Sequence, residues 1–373
     1  MSLSVRKSQQ LQPVFSLSAD LQNFLQCGLQ YRYARNSQLP WSDSPQLWFG
    51  RFVCDCLQQA QLQVRQGLQP QPPWDPGQIE QLCDMVTARL QTEQIVCRSR
   101  AKQQNALQCV TAAINHLGAV LFPLISAGPV PVSGSRWFPE MNGSAATHDT
   151  PFAHFFLTGT VPALLQISAA DRSLLHSPLR QALQAHGLMS DEHQTVLVDF
   201  KTAHRPDLHR NTRHAAATNA DSDHWRALVL AWLLSQQAEP PTAAVVVYLR
   251  ELWPSAALRR LREACFRRTP DVLLPNPDSP DAALLTELHH GQQQTPLSSE
   301  FRLQRAFRII PVTQANMQAA MQTTDHTAQR IRTCQNQEVR SGHILSAWER
   351  NNHSQVTCTA CRARTWCPGF HGK

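Results

Sequence analysis

The feature of this sequence that most constrains its fold is a cysteine array in the last sixteen residues, CTACRARTWCPGFHGK. Cys358, Cys361 and Cys367 stand there in a C-x2-C-x5-C spacing. Thiolates this close together can bind one soft metal centre, since thiolate sulfur prefers zinc, copper(I) or iron–sulfur clusters. A tetrahedral zinc site or a cubane cluster needs a fourth ligand. His371 could complete a local zinc site, whereas Cys27 could complete an iron–sulfur site that joins the two ends of the chain.

The other cysteines of the chain predict the cellular compartment in which the protein resides. The chain has 11 cysteines, and its first residues, MSLSVRKSQQLQPVF, contain no apolar segment typical of a secretory signal. The scattered cysteines are therefore interpreted as reduced core residues of a cytoplasmic protein. The longest apolar run, HLGAVLFPLISAG, is shorter than the roughly 18 residues that a membrane span requires. We expect a soluble protein with no membrane partner.

The charge balance is mildly basic. Of the 373 residues 16% are charged, and the formal net charge is +7. This excess is compatible with a polyanionic partner, although many soluble proteins share it. Arginines concentrate in two helical patterns, RELWPSAALRRLREACFRR and EFRLQRAFR, each of which predicts a solvated helix face or a face that contacts phosphates. Because no G-x-x-x-x-G-K-[ST] run occurs, any ATP-driven step has to come from a partner.

The first third of the chain is predicted to be mostly helical. Leu21, Leu25 and Leu29 recur at helical spacing and place Cys27 on or near the end of the first helix. PQLWFGRFVCDCLQQAQLQVRQG predicts a second helix, which a proline-rich linker stops. GPVPVSGSRWFPEMNGSAATHD is predicted to be a loop.

The middle of the chain carries strand patterns. AHFFLTGTVPALLQI predicts a pair of apolar strands around a Gly-Thr turn, and TVLVDFKTA and AAVVVYLRELW predict two further strands. HWRALVLAWLLSQQ predicts a buried helix, because apolar residues cover most of its circumference. The resulting order predicts an α/β fold with a mixed central sheet flanked by helices. We divide the chain into a helical N-terminal region carrying Cys27 (1–148), a core (149–312) and a C-terminal helix with the cysteine segment (313–373).

Asp199 and Lys201 in VLVDFKTA are the candidate catalytic residues. They stand two positions apart on a predicted strand, so their side chains share one face. A carboxylate that holds a divalent metal, beside a lysine that orients the attacking water, is suited to phosphodiester hydrolysis. D-x-K alone is a weak signal, but its place at the end of a buried strand favours a catalytic role.

These elements together resemble the iron–sulfur branch of the PD-(D/E)XK nucleases. The resemblance rests on the cysteine in an N-terminal helix, the strand pair, the strand ending in D-F-K-T, the buried helix and the terminal cysteine array. That branch includes the nuclease domains of AddAB-type helicase–nucleases (AddB-like) and the four-cysteine CRISPR-associated exonucleases. It implies a restriction-endonuclease-like core at 149–312 and a [4Fe–4S] cluster bound by Cys27, Cys358, Cys361 and Cys367. Zinc remains the alternative metal.

The strand pair departs from the family pattern. The family carries a metal-binding aspartate in Gly-x-(Ile/Val)-Asp, where this chain has Gly-Thr-Val followed by Pro162. Proline has no metal-binding side chain, and hard cations need several oxygen ligands. Asp199 and Lys201 alone would therefore bind Mg²⁺ or Mn²⁺ weakly. Other acids that could restore the site are Glu140, Asp149, Asp191, Glu192 and Glu251.

Two helices depart as well. The early helix of the family usually has a histidine four residues after a glycine, and here this register leads from Gly50 to Cys54. The buried helix usually opens with a glutamine, followed one turn later by a tyrosine. Here it reads His224-Trp225-Arg226.

A polar loop after Lys201 contains the candidate nucleic-acid contacts. Arg205, Arg210 and Arg213 are predicted to contact DNA phosphates, because a guanidinium pairs well with phosphate oxygens. A merely solvated loop is the alternative interpretation.

The sequence as a whole predicts a DNA-binding or DNA-processing protein that is catalytically weak or inactive. We expect it to act on single-stranded DNA or duplex ends in a recombination or defence assembly, with a protein partner such as a helicase. The first alternative is an active Mg²⁺- or Mn²⁺-dependent DNA exonuclease that uses Asp199 and Lys201. The second is a zinc-binding structural protein.

Overall fold

The chain forms a mixed α/β fold with two sheets. The computed structural model describes residues 13–35, 45–137, 154–170, 177–206, 216–253, 261, 273–286, 296–350, 358–359 and 361–368. The strands are β1 (Val14–Ser16), β2 (Ile125–Ala127), β3 (Val130–Trp137), β4 (His154–Val161), β5 (Ala163–Ile167), β6 (Gln194–Lys201), β7 (Ala243–Tyr248) and β8 (Phe307–Pro311). The helices are α1 (Asn23–Gln26), α2 (Gly28–Ala34), α3 (Pro45–Arg65), α4 (Pro76–Thr92), α5 (Arg100–Ala113), α6 (Ala119–Leu121), α7 (Pro178–Ala185), α8 (Ala216–Ser235), α9 (Pro280–Thr286), α10 (Ser299–Ala306), α11 (Gln314–Ser341) and α12 (Ile344–Ala347).

The larger sheet has five strands in the order β2-β5-β6-β7-β8. Strands β6 and β7 are parallel, and the other neighbours are antiparallel. Every residue of β7 is buried, as expected for an apolar strand that is covered on both faces. The predicted mixed central sheet flanked by helices is confirmed.

Strand β6 alternates between two cores. Val196 and Val198 pack with helices α3, α4 and α5 on one face of the sheet. Leu197 packs with α8 and α11 on the other face. Since strand residues two apart point the same way, Asp199 and Lys201 follow Leu197 toward α8.

The smaller sheet has three strands in the order β1-β4-β3, and α8 packs against it. Two glycines permit this close approach. A Cβ at Gly134 would lie 3.0 Å from the Trp232 ring, and one at Gly159 would lie 2.9 Å from Leu230 Cδ2. Helix α8 is thus enclosed between the two sheets, which explains why its pattern is apolar around most of its circumference.

Two sequence predictions in this region are wrong. The segment predicted as a loop contains β3, which pairs with β4 from Val130 to Trp137. The predicted Gly-Thr turn lies inside β4, and the chain changes sheet at Pro162. The two strands are therefore not partners in a hairpin: β4 pairs with β1 and β3, whereas β5 pairs with β2 and β6.

The first 148 residues contribute more than helices. Strands β1, β2 and β3 come from this segment, and they complete both sheets. The three-part division of the chain stays a prediction, and its first boundary separates strands that pair with each other.

One helical stretch among the described residues, Arg100–Leu124, is long and apolar enough to cross a membrane. Its most apolar window has a mean hydropathy of 1.4 and is 50% buried within the fold. This is weak evidence, because the core helix of a soluble protein passes the same test. The expected absence of a membrane partner stays a prediction.

Candidate active site and thiol cluster

The structure brings Asp199 and Lys201 together at the carboxyl end of β6. Lys201 Nζ lies 3.0 Å from Asp199 Oδ2. Asp199 is only 2% exposed, while part of the Lys201 side chain reaches solvent. The two side chains share one face, as predicted, and they form an ion pair; their catalytic roles stay a prediction.

A second cation binds the same carboxylate oxygen. Arg226 Nε, on helix α8, donates to Asp199 Oδ2 at 3.0 Å. Its Nη1 donates to Ser18 Oγ and to Gln22 Oε1 in the N-terminal segment. Arg226 is therefore fixed between a buried carboxylate and two polar side chains that precede α1.

The charges around Asp199 decide its ionisation. Burial raises the pKa of this carboxyl, but the neighbouring charges and hydrogen bonds of Lys201 and Arg226 outweigh burial and hold the pKa below its usual range. Asp199 is consequently a carboxylate at neutral pH, neutralised by cations of its own chain.

Asp223 joins this network from α8 and was missed by the sequence analysis. Lys201 Nζ lies 3.0 Å from Asp223 Oδ1, and the Tyr248 hydroxyl donates to Asp223 Oδ2 at 3.0 Å. Burial raises the pKa of Tyr248, and the charge on Asp223 raises it further. Asp223 and Arg226 stand three residues apart on one helix, a spacing that places both on the same side and could have indicated their shared site.

Pro162 and Cys54, where the sequence departs from the pattern of the family it resembles, lie beside this network. Ala163 pairs with Val198, so the next residues in the same register are Pro162 and Asp199. Burial raises the pKa of the Cys54 thiol to about 12, and the charge on Asp199 adds to the shift. A proline and a protonated thiol thus stand beside Asp199, where the resemblance implies an aspartate and a histidine.

The other acids do not join Asp199 in the described structure. Asp191 and Glu192 are exposed before the start of β6, at the far end of the strand. Glu140 and Asp149 lie outside the described residues. Glu251 is fully buried in a separate cluster.

This second cluster fixes the turn after β6. Glu251 Oε1 lies 3.3 Å from His204 Nδ1 and accepts from the Arg205 backbone N–H at 3.1 Å, while Oε2 accepts from Arg305 Nε at 3.0 Å. Burial by itself raises the pKa of Glu251, but His204 and Arg305 reverse the shift and lower the pKa to about 2. Glu251 is therefore a buried structural anion.

Arg205 is part of the same cluster. Its Nη1 donates to the backbone oxygens of Arg305 and Phe307. These bonds give the guanidinium a structural role, and its predicted contact with phosphate stays a prediction. Arg210 and Arg213 lie outside the described residues.

The arginine pattern EFRLQRAFR is packed inward in helix α10. Arg302 and Arg305 are buried, and Arg302 donates to the backbone oxygens of Leu297 and Leu252. A solvated or phosphate-contacting face is therefore wrong for these two residues. Most of the other arginine pattern lies outside the described residues.

Arg250 differs from these paired arginines. It follows β7 at the same edge of the sheet as Lys201, and its guanidinium lies 4.9 Å from the centre of the Phe49 ring. Among the described residues no carboxylate forms an ion pair with it, and its side chain is half-buried. Its Nε is a buried donor with no hydrogen-bond partner in the described part of the chain.

The four candidate metal ligands lie close enough to affect one another electrostatically. Burial raises the pKa of the Cys361 thiol to about 11; a backbone hydrogen bond from Ala363 opposes the shift, and the charges of Cys27, Cys367 and Cys358 add to it. Cys27 and Cys367 act on Cys358 in the same direction. Cys27, Cys361 and Cys367 also pack against the same hydrophobic core, and their joint binding of a metal stays a prediction.

The local backbone suits thiolate ligands. The Gln30 N–H donates to Cys27 Sγ at 3.4 Å, and the tail folds into tight turns in which Cys361 N–H donates to Cys358 O at 3.2 Å. The ten described cysteines are thiols rather than disulfides. Among the described residues no three His, Cys, Asp or Glu side chains are grouped so that they could hold a metal ion, and the case for a soft metal centre rests on the donor chemistry of the four half-buried thiols. His371 lies outside the described residues.

No protein-family model matches this chain, and no curated protein matches it.

Proposed function

We propose that this protein binds DNA through a fold of the PD-(D/E)XK type whose hydrolytic centre is weak or inactive. Its expected setting is a recombination or defence assembly in the cytoplasm, in which a partner such as a helicase supplies any ATP-driven step. The substrate class is single-stranded DNA or duplex ends.

The sheet supports the restriction-endonuclease-like part of the proposal. An antiparallel strand, β5, precedes β6, which ends in Asp199 and Lys201 and pairs in parallel with β7. Helix α8 connects β6 to β7 and returns to the carboxyl end of β6 through Asp223 and Arg226. This order places the candidate residues at the edge of the sheet where ligands of open α/β folds bind.

The observation that carries the proposal is the ion pair between Arg226 and Asp199 at 3.0 Å. A catalytic divalent metal needs several oxygen ligands, and this carboxylate already neutralises two cations of the chain. Pro162 contributes no ligand, and Asp223 is engaged by Lys201 and Tyr248. The network contains two carboxylates, Asp199 and Asp223, and two cations, Lys201 and Arg226, so these four charges cancel. A divalent cation would therefore be only weakly attracted to it.

Two observations support DNA as the partner. The formal net charge of +7 favours a polyanion. Arg250 is a half-buried cation beside the carboxyl ends of β6 and β7, and no described carboxylate pairs with it. Stacking on Phe49 would hold its guanidinium plane in place for a phosphate oxygen.

The thiol cluster supports a [4Fe–4S] centre with a structural role. Cys27, Cys358, Cys361 and Cys367 would hold it, and the bound cluster would supply a bond between the two ends of the chain. Iron and sulfide content together with the visible spectrum distinguishes this centre from zinc. A colourless zinc protein that is indifferent to Cys27→Ser would favour the zinc-binding alternative.

The experiment that tests the proposal measures cleavage and binding on the same preparations. End-labelled single-stranded and duplex DNA are incubated with the wild-type protein, Asp199→Ala and Lys201→Ala in Mg²⁺ or Mn²⁺. We expect all three proteins to bind DNA, and we expect the wild type to cleave it no faster than the two variants. Absence of DNA binding would contradict the proposal.

A second candidate function is favoured by Asp223. It provides a carboxylate that shares Lys201 with Asp199, and so supplies the second acid that an active Mg²⁺- or Mn²⁺-dependent exonuclease would need. Metal-dependent cleavage by the wild-type protein that disappears in Lys201→Ala and in Asp223→Ala would establish this alternative.

A further inference from the structure

A buried ion pair joins the two ends of the described chain. Arg32 on α2 is 3% exposed and Glu338 on α11 is 0% exposed. Arg32 Nε lies 2.7 Å from Glu338 Oε2, and Arg32 Nη2 lies 2.7 Å from Oε1, which is a bidentate geometry.

Trp348 is the third member of this network. Its indole Nε1–H donates to Glu338 Oε2 at 2.6 Å, and the ring is almost fully buried. The Trp348 ring centre lies 5.6 Å from that of Tyr31 and 6.3 Å from that of Phe24. One carboxylate therefore connects helix α2, helix α11 and the segment after α12.

Trp348 and the thiols Cys27, Cys361 and Cys367 pack against the same hydrophobic core. Arg32 is on the helix that begins directly after Cys27, and Trp348 precedes the tail cysteines. The Leu29 N–H donates to the Glu349 backbone oxygen at 2.9 Å, which adds a main-chain contact between the same two segments. A Cβ at Gly28 would lie 3.0 Å from that oxygen, so a side chain at this position would require the Glu349 backbone to shift slightly.

We infer that Glu338 is a positioning residue for the thiol centre: it holds Cys27 beside the tail before any metal binds. A buried carboxylate bonded to both Arg32 and Trp348 is costly to disrupt, because loss of one partner leaves charge without compensation in the core. The role in metal binding rests on the proposed thiol centre, whereas the metal-free arrangement does not depend on it.

The first test uses metal-free, reduced protein and a short bifunctional thiol reagent. Peptide mapping measures the yield of links between Cys27 and the tail cysteines in the wild type, Glu338→Gln, Trp348→Phe and the control Glu349→Gln. Glu349 is a suitable control because its side chain is 86% exposed and pairs with Arg330 at the surface. We expect the wild type and the control to give equal yields, Trp348→Phe a lower yield and Glu338→Gln the lowest.

Trp348→Phe keeps an aromatic ring in the core but removes the hydrogen bond to Glu338 together with part of the ring volume, and it remains informative even if Glu338→Gln does not fold. Equal yields in all folded variants would overturn the inference. We also expect reconstituted Trp348→Phe to lose iron to a chelator several-fold faster than the wild type. Glu349→Gln should lose iron at the wild-type rate.

The iron content of the wild type separates this inference from the proposed function. A wild type that binds no iron contradicts the [4Fe–4S] centre but leaves the cross-linking yields to decide the inference. A wild type that binds iron, with cross-links and iron loss unaffected by either substitution, contradicts the inference alone.

Discussion

Asp199 shows how far single residues could be predicted. The D-x-K pair was recognised because strand spacing alone places both side chains on one face. The cation at Arg226 was not foreseen, because its contact with β6 depends on how α8 packs between the two sheets. Asp223 was missed for the same reason.

Replacing Arg226 and Pro162 should create a metal site beside Asp199. In the double variant Pro162→Asp/Arg226→Gln, one cation is lost and one carboxylate is gained at the position that follows the Ala163–Val198 pair. We expect the dissociation constant for Mn²⁺ to fall by about tenfold or more relative to the wild type. Isothermal titration calorimetry measures it. The double variant Pro162→Asn/Arg226→Gln is the matched control, and equal affinity in both would contradict the explanation by charge.

Glu251 should make stability depend on acid pH. Its pKa in the folded protein is about 2, against an ordinary value of 4.5, so its contribution is present above pH 4.5 and is lost as the pH falls toward 2. The linked free energy of unfolding is about 3 kcal/mol. Urea unfolding at several pH values should show a loss of this size that Glu251→Gln lacks, whereas the surface variant Glu349→Gln retains it.

At the scale of elements, strands β6 and β7 and helix α8 were predicted because long apolar runs leave few alternatives. Strand β3 was mistaken for a loop, because VPVSGSRW is rich in residues that usually break strands. The structure supplies the reason for one of them: Gly134 lies against the Trp232 ring, and a Cβ there would come within 3.0 Å of it. The packing of β3 against α8 determines the conformation of this segment, and the propensities of its individual residues do not include that packing.

Gly134→Ala should therefore destabilise the contact between β3 and α8. The added Cβ would lie 3.0 Å from a rigid indole ring, which has to shift. We expect a loss of about 1–3 kcal/mol in the free energy of unfolding, typical of overpacking. Chemical denaturation measures it, and Ser135→Ala, an exposed position on the same strand, serves as the control. No difference between the two variants would argue against the close approach.

At the scale of the whole molecule, the sequence predicts that the two ends of the chain converge on one centre. The tail spacing predicts a shared centre with His371 or Cys27 as its fourth ligand. In the structure Cys27, Cys361 and Cys367 pack against one hydrophobic core, and the shared centre itself stays a prediction. The network of Arg32, Glu338 and Trp348 was not foreseen, because nothing in their spacing relates residues so far apart in sequence.

The basic charge of the molecule should make DNA binding strongly dependent on salt. We expect the logarithm of the binding constant to fall linearly with the logarithm of salt concentration, and Arg250→Ala to reduce the slope by about one. Fluorescence anisotropy over a salt series measures both quantities. Arg302→Met, at a buried arginine bonded to backbone oxygens, is the control, and it should leave the slope unchanged if it folds. An unchanged slope in Arg250→Ala would remove this residue from the interface.

The short strand β1 and the turn that follows it have a consequence for how this chain can be shortened. The same few residues supply the outer edge of the small sheet and, through Ser18 and Gln22, two of the acceptors that orient Arg226. A polypeptide starting after Gln22 would lose its sheet border and the anchoring of its central guanidinium together. Removal of this N-terminal segment would therefore disturb the charge network around Asp199 as well as the edge of the small sheet.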